Sequence, residues 1–377
     1  ITALKITDKQ SEWVKNILEK AENKLAVTSE TIATPFPYTT VGGICTDEPP
    51  IDGVCFWTNG FWAGILWLMY LHTKKEKYMQ KAIFCEHQLD RAFEQYVNLH
   101  HDVGFMWLTS AVAHYRITGD ADAKKRGLKA ADMLASRYNT DGGFIRAWNG
   151  DENIGVAIID CMMNIPILYW AYEETGDPRY RMIAVHHADK TLANHLRADG
   201  SANHIVRYDP ITGEKLETPA GQGCAPGSSW SRGQAWAIYG FVLSYIHTGD
   251  VKYLDAAKRT AHYFIACIGD EYVAKCDFRA PKEPVLYDST AGFIAACGMI
   301  EISKAVPEAE SALYLDCAMK ILHASAERFC TFDTDSQLIT KMGTASYTDG
   351  HHIPIIYGDY YFLEALMKLN GNDLLFW

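Results

Sequence analysis

Two kinds of segment alternate along the chain. Those at about 57–72, 102–117, 158–174, 232–247, 288–304 and 357–370 are apolar nearly all round and rich in small and aromatic residues. Those at about 76–94, 121–138, 178–196, 251–268 and 308–328, with Ser11–Leu25 at the start, are amphipathic and charged on one face. A helix that is apolar on every side belongs in an interior, and an amphipathic one covers it. The junctions recur as well, as Ile117-Thr118-Gly119-Asp120, Glu174-Thr175-Gly176-Asp177 and His247-Thr248-Gly249-Asp250. In each, Gly supplies the left-handed residue that ends one helix and Asp the cap that opens the next, which makes a tight turn between antiparallel helices. Leu71–Tyr78 is a looser version, Ile302–Glu308 a degenerate one, and Leu369–Asp373 would close a sixth. The pattern predicts an all-α chain of six hairpins in a closed double ring, an (α/α)6 toroid. With no linker or low-complexity tract, residues 1–377 are expected to form one domain.

The same repeat places polar residues. Asn59, Asp102, Asp160, Arg232, Asp288 and Asp359 fall at the starts of successive inner segments. In a parallel set of inner helices those starts share one rim, where free N–H groups and positive partial charge suit an anionic ligand. Taken singly, each position is better read as a helix cap than as a reacting group. Asp160 stands out because the run Gly155–Leu168 around it is almost wholly apolar, and a lone carboxylate there is costly unless paired, hydrogen-bonded or protonated. Its bland alternative is a buried cap. Asp102, in Leu99-His100-His101-Asp102, is the obvious second carboxylate, and two carboxylates on one pocket are the general arrangement for glycosidic chemistry. The long insertion between Leu192 and Arg232 carries His204, Arg207 and Tyr208, then the stretch Gln222–Trp236 with Trp230 and Arg232. Trp faces suit sugar rings and a guanidinium suits a carboxylate, though an aromatic helix start with Arg as a packing strut would look the same. Trp57, Phe61, Trp62 and Trp148 add aromatic surface near other inner starts.

Composition narrows the choices. The 10 Trp, 21 Tyr and 15 Phe fit a flat-walled cleft or close helix packing. A formal charge of -11 without a basic run argues against nucleic acid as partner. The longest apolar run, Phe61–Leu71, is well short of the roughly 20 residues that span a bilayer, so no membrane association is expected. Ten scattered cysteines with no C-x-x-C pair read as reduced core residues, which favours a cytoplasmic location. The chain opens on Ile1 rather than Met, so a removed leader and a periplasmic location stay open. The His pairs 100/101, 186/187 and 351/352 raise the question of metal. No metal-ligand spacing supports one, and adjacent residues on a helix or strand diverge, so neither metal nor cofactor is expected. A monomer or weak dimer is the expected state.

Several of these motifs carry a resemblance. His100-His101-Asp102-x-Gly104-Phe105, the Ile158–Pro166 run around Asp160, Trp230-Ser-Arg232-Gly-Gln-Ala-Trp236, Trp57-Thr-Asn-Gly-Phe-Trp62 and Tyr357–Tyr361 together resemble the unsaturated glucuronyl hydrolases of glycoside hydrolase family 88. The likeness runs from about 40 to 366, in order. It implies an (α/α)6 barrel and a hydrolase that removes the 4,5-unsaturated uronic acid left at the non-reducing end of glycosaminoglycan-type oligosaccharides by lyases. The implied chemistry is hydration of an enol ether, with Asp160 as general acid and base and Asp102 as the second aspartate, holding ring hydroxyls. It also implies that His101, Trp148, His204, Gln222, Trp230, Arg232 and Trp236 line the substrate site, with Trp57 and Phe61 beside them. Asn59 departs from the Asp of some relatives, and Thr344–Pro354 matches no pattern from which sulfate preference can be read. The competing readings are an unsaturated rhamnogalacturonyl hydrolase of the same architecture, a sugar 2-epimerase, for which His acid/base groups would be expected, and a noncatalytic glycan-binding protein.

Overall fold

A computed structural model describes residues 4–46 and 53–377. The inner helices are Phe61–Thr73, the composite 103–118, Pro166–Thr175, Ser231–Thr248, Ser289–Ala305 and Ile356–Leu369. Each of the first five is followed by an outer partner: Glu76–Leu89, Ala121–Ala135, Pro178–Asn194, Val251–Ile268 and Glu308–Phe329. Asp8–Thr31 packs on the sixth inner helix, and that helix packs in turn on the first, which closes the ring. The chain is therefore an (α/α)6 toroid.

The junctions form as their residues dictate. Gly119, Gly176 and Gly249 adopt φ of 77°, 72° and 71°, and each donates its N–H to the carbonyl four residues back, on Tyr115, Tyr172 and Tyr245. The Asp after each Gly caps the next helix, accepting from Ala123, Arg179 and Lys252 N–H. Trp377 fills the middle of the ring: it stacks on Tyr361, meets Phe105 and Tyr239 edge-on, and donates Nε1 to Glu364 (3.0 Å). Those contacts come from the sixth, second and fourth inner helices, so this ring sits near the axis.

The third inner segment departs from expectation. Val156–Ile158 is a strand, Ile159–Met163 is one tight helical turn, and the helix proper begins at Pro166. The strand pairs antiparallel with Ile205–Tyr208, which in turn pairs with Lys215–Glu217, so part of the long insertion is a small sheet laid over the rim. Proline at the first helical position is favoured because its missing N–H would have no partner there anyway. The second inner helix contains one wide turn at Leu108–Val112, where Ala113 N–H reaches back to Leu108 O.

Candidate active site

At the end of the ring where the inner helices start lies an open bowl of about 420 Å3. Trp57, Asp102, Trp148, Asp160, Gln222 and Arg232 line it, joined by Val97, Asn98, His100, Asn149 and Ile158. A second hollow of about 660 Å3 holds Glu301, Lys304 and Lys368, from the far ends of the fifth and sixth inner helices. Its two lysines both turn to Glu301, at 3.3 and 2.6 Å, and with Glu364 3.3 Å from Lys368 their charge is met internally.

Asp160 lies in the tight turn that follows the strand Val156–Ile158, and Asp102 immediately precedes the second inner helix. Neither side chain caps its helix, so the cap reading of these two residues fails. It holds for Asp288, whose carboxylate accepts from Thr290 N–H (3.2 Å). Asp359 is also a structural acid: it accepts from Ile339 and Thr340 N–H (both 2.7 Å), and burial pushes it up to about 6. Asn59 donates to Gly53 O and Val54 O (both 3.1 Å) and pins the approach to the first inner helix.

One buried amide ties the Asp102 carboxylate to the backbone of Asp160. Asn164 donates Nδ2 to Asp102 Oδ1 (3.0 Å) and to the Asp160 carbonyl (3.2 Å), while its Oδ1 accepts from Phe105 N–H (2.7 Å). Gly104 leaves room for it, since a Cβ there would come within 2.4 Å of Asn164. Sequence reading passed over Asn164, although a second polar residue in so apolar a run was the signal.

His204, immediately before the neighbouring strand, faces Asp160. Gln222 N–H donates to its Nδ1 (3.0 Å), so the ring proton resides on Nε2, 3.4 Å from Asp160 Oδ1. Gly221, at φ +60°, permits this approach: a Cβ there would lie 1.9 Å from His204 Nδ1. Trp230 packs on His204 at 4.4 Å between ring centroids and lies under the Arg232 guanidinium at 4.5 Å. Arg232 is buried and paired with Asp288 (2.6 Å), and it donates to Thr344 O (2.5 Å) and Ala345 O (2.6 Å). Those bonds use three of its five N–H groups and leave two. Gln222 Nε2 donates to the same Ala345 carbonyl (2.6 Å), so the segment after Thr344 is tied to the bowl wall.

The remaining aromatic residues form the walls and their backing. Trp57 and Trp148 are half-buried in the bowl. Phe61 and Trp236 are fully buried behind it, against Phe105 at 5.8 and 5.0 Å. His101 is likewise buried, beside Asp102 at 3.2 Å. Arg137, also unforeseen, clamps the His100 loop by donating to Leu99 O (3.3 Å), Ala147 O (3.1 Å) and Asn149 Oδ1 (2.9 Å). The expected divergence of adjacent histidines does not hold here. His100 and His101 lie in a turn rather than a regular element, and with Asp102 they bring one donor atom each within 4.8 Å of one another.

The family described as Glycosyl Hydrolase Family 88 matches residues 45–276, a span that carries both aspartates, Asn164, His204 and Arg232. The chain belongs to glycoside hydrolase family 88. The unsaturated glucuronyl hydrolase of Bacillus sp. (strain GL1) is 39% identical over 331 residues, 85% of this family 88 chain and 88% of that protein. The unsaturated chondroitin disaccharide hydrolase of Streptococcus pneumoniae (strain ATCC BAA-255 / R6) is 34% identical over 378 residues, covering 97% and 92%. The crystal structure of the Bacillus sp. GL1 enzyme superposes with a TM-score of 0.89 at 35% identity, over 95% of this chain and 97% of that one. A Streptococcus agalactiae unsaturated glucuronyl hydrolase complexed with dGlcA-GalNAc6S superposes at 0.82 with 31% identity, over the whole of both chains. This family 88 protein is thus a glycoside hydrolase, and no helix among its described residues is long and apolar enough to cross a membrane.

Proposed function

We propose that this hydrolase removes the 4,5-unsaturated uronic acid from the non-reducing end of lyase-generated, glycosaminoglycan-type oligosaccharides. The observation that carries the reading is the coupling of Asp102 and Asp160 through the Asn164 amide, at a bowl walled by Trp57 and Trp148. The relatives named for unsaturated glucuronyl and chondroitin disaccharide substrates support it.

Asp160 protonates C4 of the enol ether. The double-bond electrons form the new C–H bond and leave oxocarbenium charge shared by C5 and the ring oxygen. Asp160, now a carboxylate, takes a proton from water as that water bonds to C5. The hemiketal opens and the adjoining sugar is released, with one water consumed. His204 stands beside the Asp160 carboxyl, and Asp102 accepts from ring hydroxyls. Arg232 turns its two remaining N–H groups to the uronate carboxylate, and Gln222 completes that wall. Trp57 and Trp148 face the sugar rings, while Phe61, His101, Trp230 and Trp236 hold those walls from behind.

The test is an unsaturated chondroitin disaccharide followed by absorbance of its enol-ether band. Loss of the band with wild type, and its persistence with an Asp160→Asn variant that still binds the disaccharide, is the expected result. Near-normal turnover by that variant would remove Asp160 as the acid. Binding by wild type with no loss of the band would make the protein a glycan-binding module instead.

A further inference from the structure

The geometry points to a second ligand of the bowl: His100, His101 and Asp102 form a binding site for a divalent transition-metal ion of the Zn2+ class, whose occupancy inhibits hydrolysis. The argument starts from three consecutive side chains whose donor atoms converge. His100 Nδ1 lies 3.3 Å from Asp102 Oδ2, and His101 Nε2 lies 3.2 Å from Asp102 Oδ1. A tetrahedral ion with bonds of about 2.0–2.1 Å holds its ligand atoms about 3.3–3.4 Å apart; each imidazole nitrogen stands at about that spacing from one oxygen of the same carboxylate, and the three donor atoms lie within 4.8 Å of one another.

His101 makes the independent case. It is fully buried, yet neither ring nitrogen has a hydrogen-bond partner among the described residues. Buried polar groups in folded proteins are nearly always satisfied, and one that is not calls for a bound species. Asp102 is oriented from outside by Asn164, as a ligating carboxylate is usually held by a partner of its own. The opposing charge is Arg137, whose donors are directed to Leu99, Ala147 and Asn149. Entry is open, because His100 and Asp102 both line the bowl. An ion there occupies the carboxylate that accepts substrate hydroxyls and sits beside Asp160, so binding and turnover exclude each other. The inhibitory half rests on the hydrolase reading; the binding half does not.

Titration of the full chain with Co2+ and Zn2+ chlorides tests it. Saturable binding of one equivalent of Co2+ with visible absorption bands, displaced by Zn2+ and abolished by EDTA, is expected, with Zn2+ slowing disaccharide hydrolysis at the same midpoint. His100→Asn should weaken Co2+ binding at least about tenfold, whereas His186→Asn, altering a histidine whose partner is Tyr138 outside the bowl, should not. If circular dichroism shows His100→Asn to be unfolded, His101→Gln takes its place. Absence of one-equivalent binding, or equal affinity in the His100 and His186 variants, overturns the site. Binding without inhibition overturns its effect on catalysis. Because the Co2+ bands need no substrate, their absence leaves the hydrolase reading standing.

Discussion

Asn164→Leu tests the claim that one amide couples the Asp102 carboxylate to the Asp160 backbone. The substitution keeps a branched side chain and removes all of its hydrogen bonding. Phe105 N–H, bonded at 2.7 Å, is left buried without an acceptor, at a cost of about 1–3 kcal/mol. Asp102 Oδ1 loses a charge-assisted bond of 3.0 Å, worth about 1.5–3 kcal/mol. The Asp160 carbonyl loses a weaker one at 3.2 Å. Together these destabilise the protein by about 3–6 kcal/mol, large against the roughly 5–15 kcal/mol margin of a folded domain. Catalysis should fall further than stability alone explains, because a misplacement of about 1 Å between reacting groups costs on the order of 100-fold. Guanidinium unfolding gives the first quantity. Disaccharide kinetics well below the unfolding midpoint give the second, with the loss expected in kcat. If the variant loses stability as computed but keeps kcat within about threefold, Asn164 is only a structural tie and the coupling argument fails. If stability is unchanged, the buried bonds themselves are misjudged.

Arg232→Ala should raise KM for the unsaturated disaccharide while Asp288 is left as an unpaired buried charge; a fall in kcat alone would assign Arg232 to the transition state or to structure. Gly221→Ala should displace His204, because its Cβ would lie 1.9 Å from Nδ1 and the backbone is left-handed there; kcat should drop at least tenfold, and wild-type kinetics would refute the assigned tautomer and contact. His187 and His195 are pushed down to about 3 by burial, so the unfolded chain binds their protons first as pH falls. Their contribution to stability is complete above about pH 6.5 and is lost between there and about 3, at about 1.4 kcal/mol per pH unit each. The melting temperature should therefore fall steadily below pH 6.5, and a flat profile down to pH 5 would contradict the burial argument.

What the sequence determined by itself was local. A Gly that must adopt positive φ, followed by an Asp that must cap, is decided within four or five residues, so the turns at Gly119, Gly176 and Gly249 were legible before any fold was known. The inner and outer helices were equally legible, because burial on one face or on all faces is written in periodicity. The rim was legible only as a set. Asp102, Asp160, Asp288 and Asp359 occupy equivalent places in the repeat, and nothing local separates a cap from a reacting group. The tertiary structure separates them by their partners. Asp288 meets its own helix N–H and Arg232, and Asp359 meets the backbone of Ile339 and Thr340. Asp102 is held from behind by Asn164, Asp160 has His204 at 3.4 Å, and both face the open bowl. Non-local pairing also put Val156–Ile158 into a strand beside Ile205–Arg207, so the helix expected from about 158 begins only at Pro166 and Asp160 sits in a turn against His204. The convergence of His100, His101 and Asp102 is of the same kind. Neighbours diverge on a regular element, whereas these lie in a turn to which Arg137 and Ala147 are bonded.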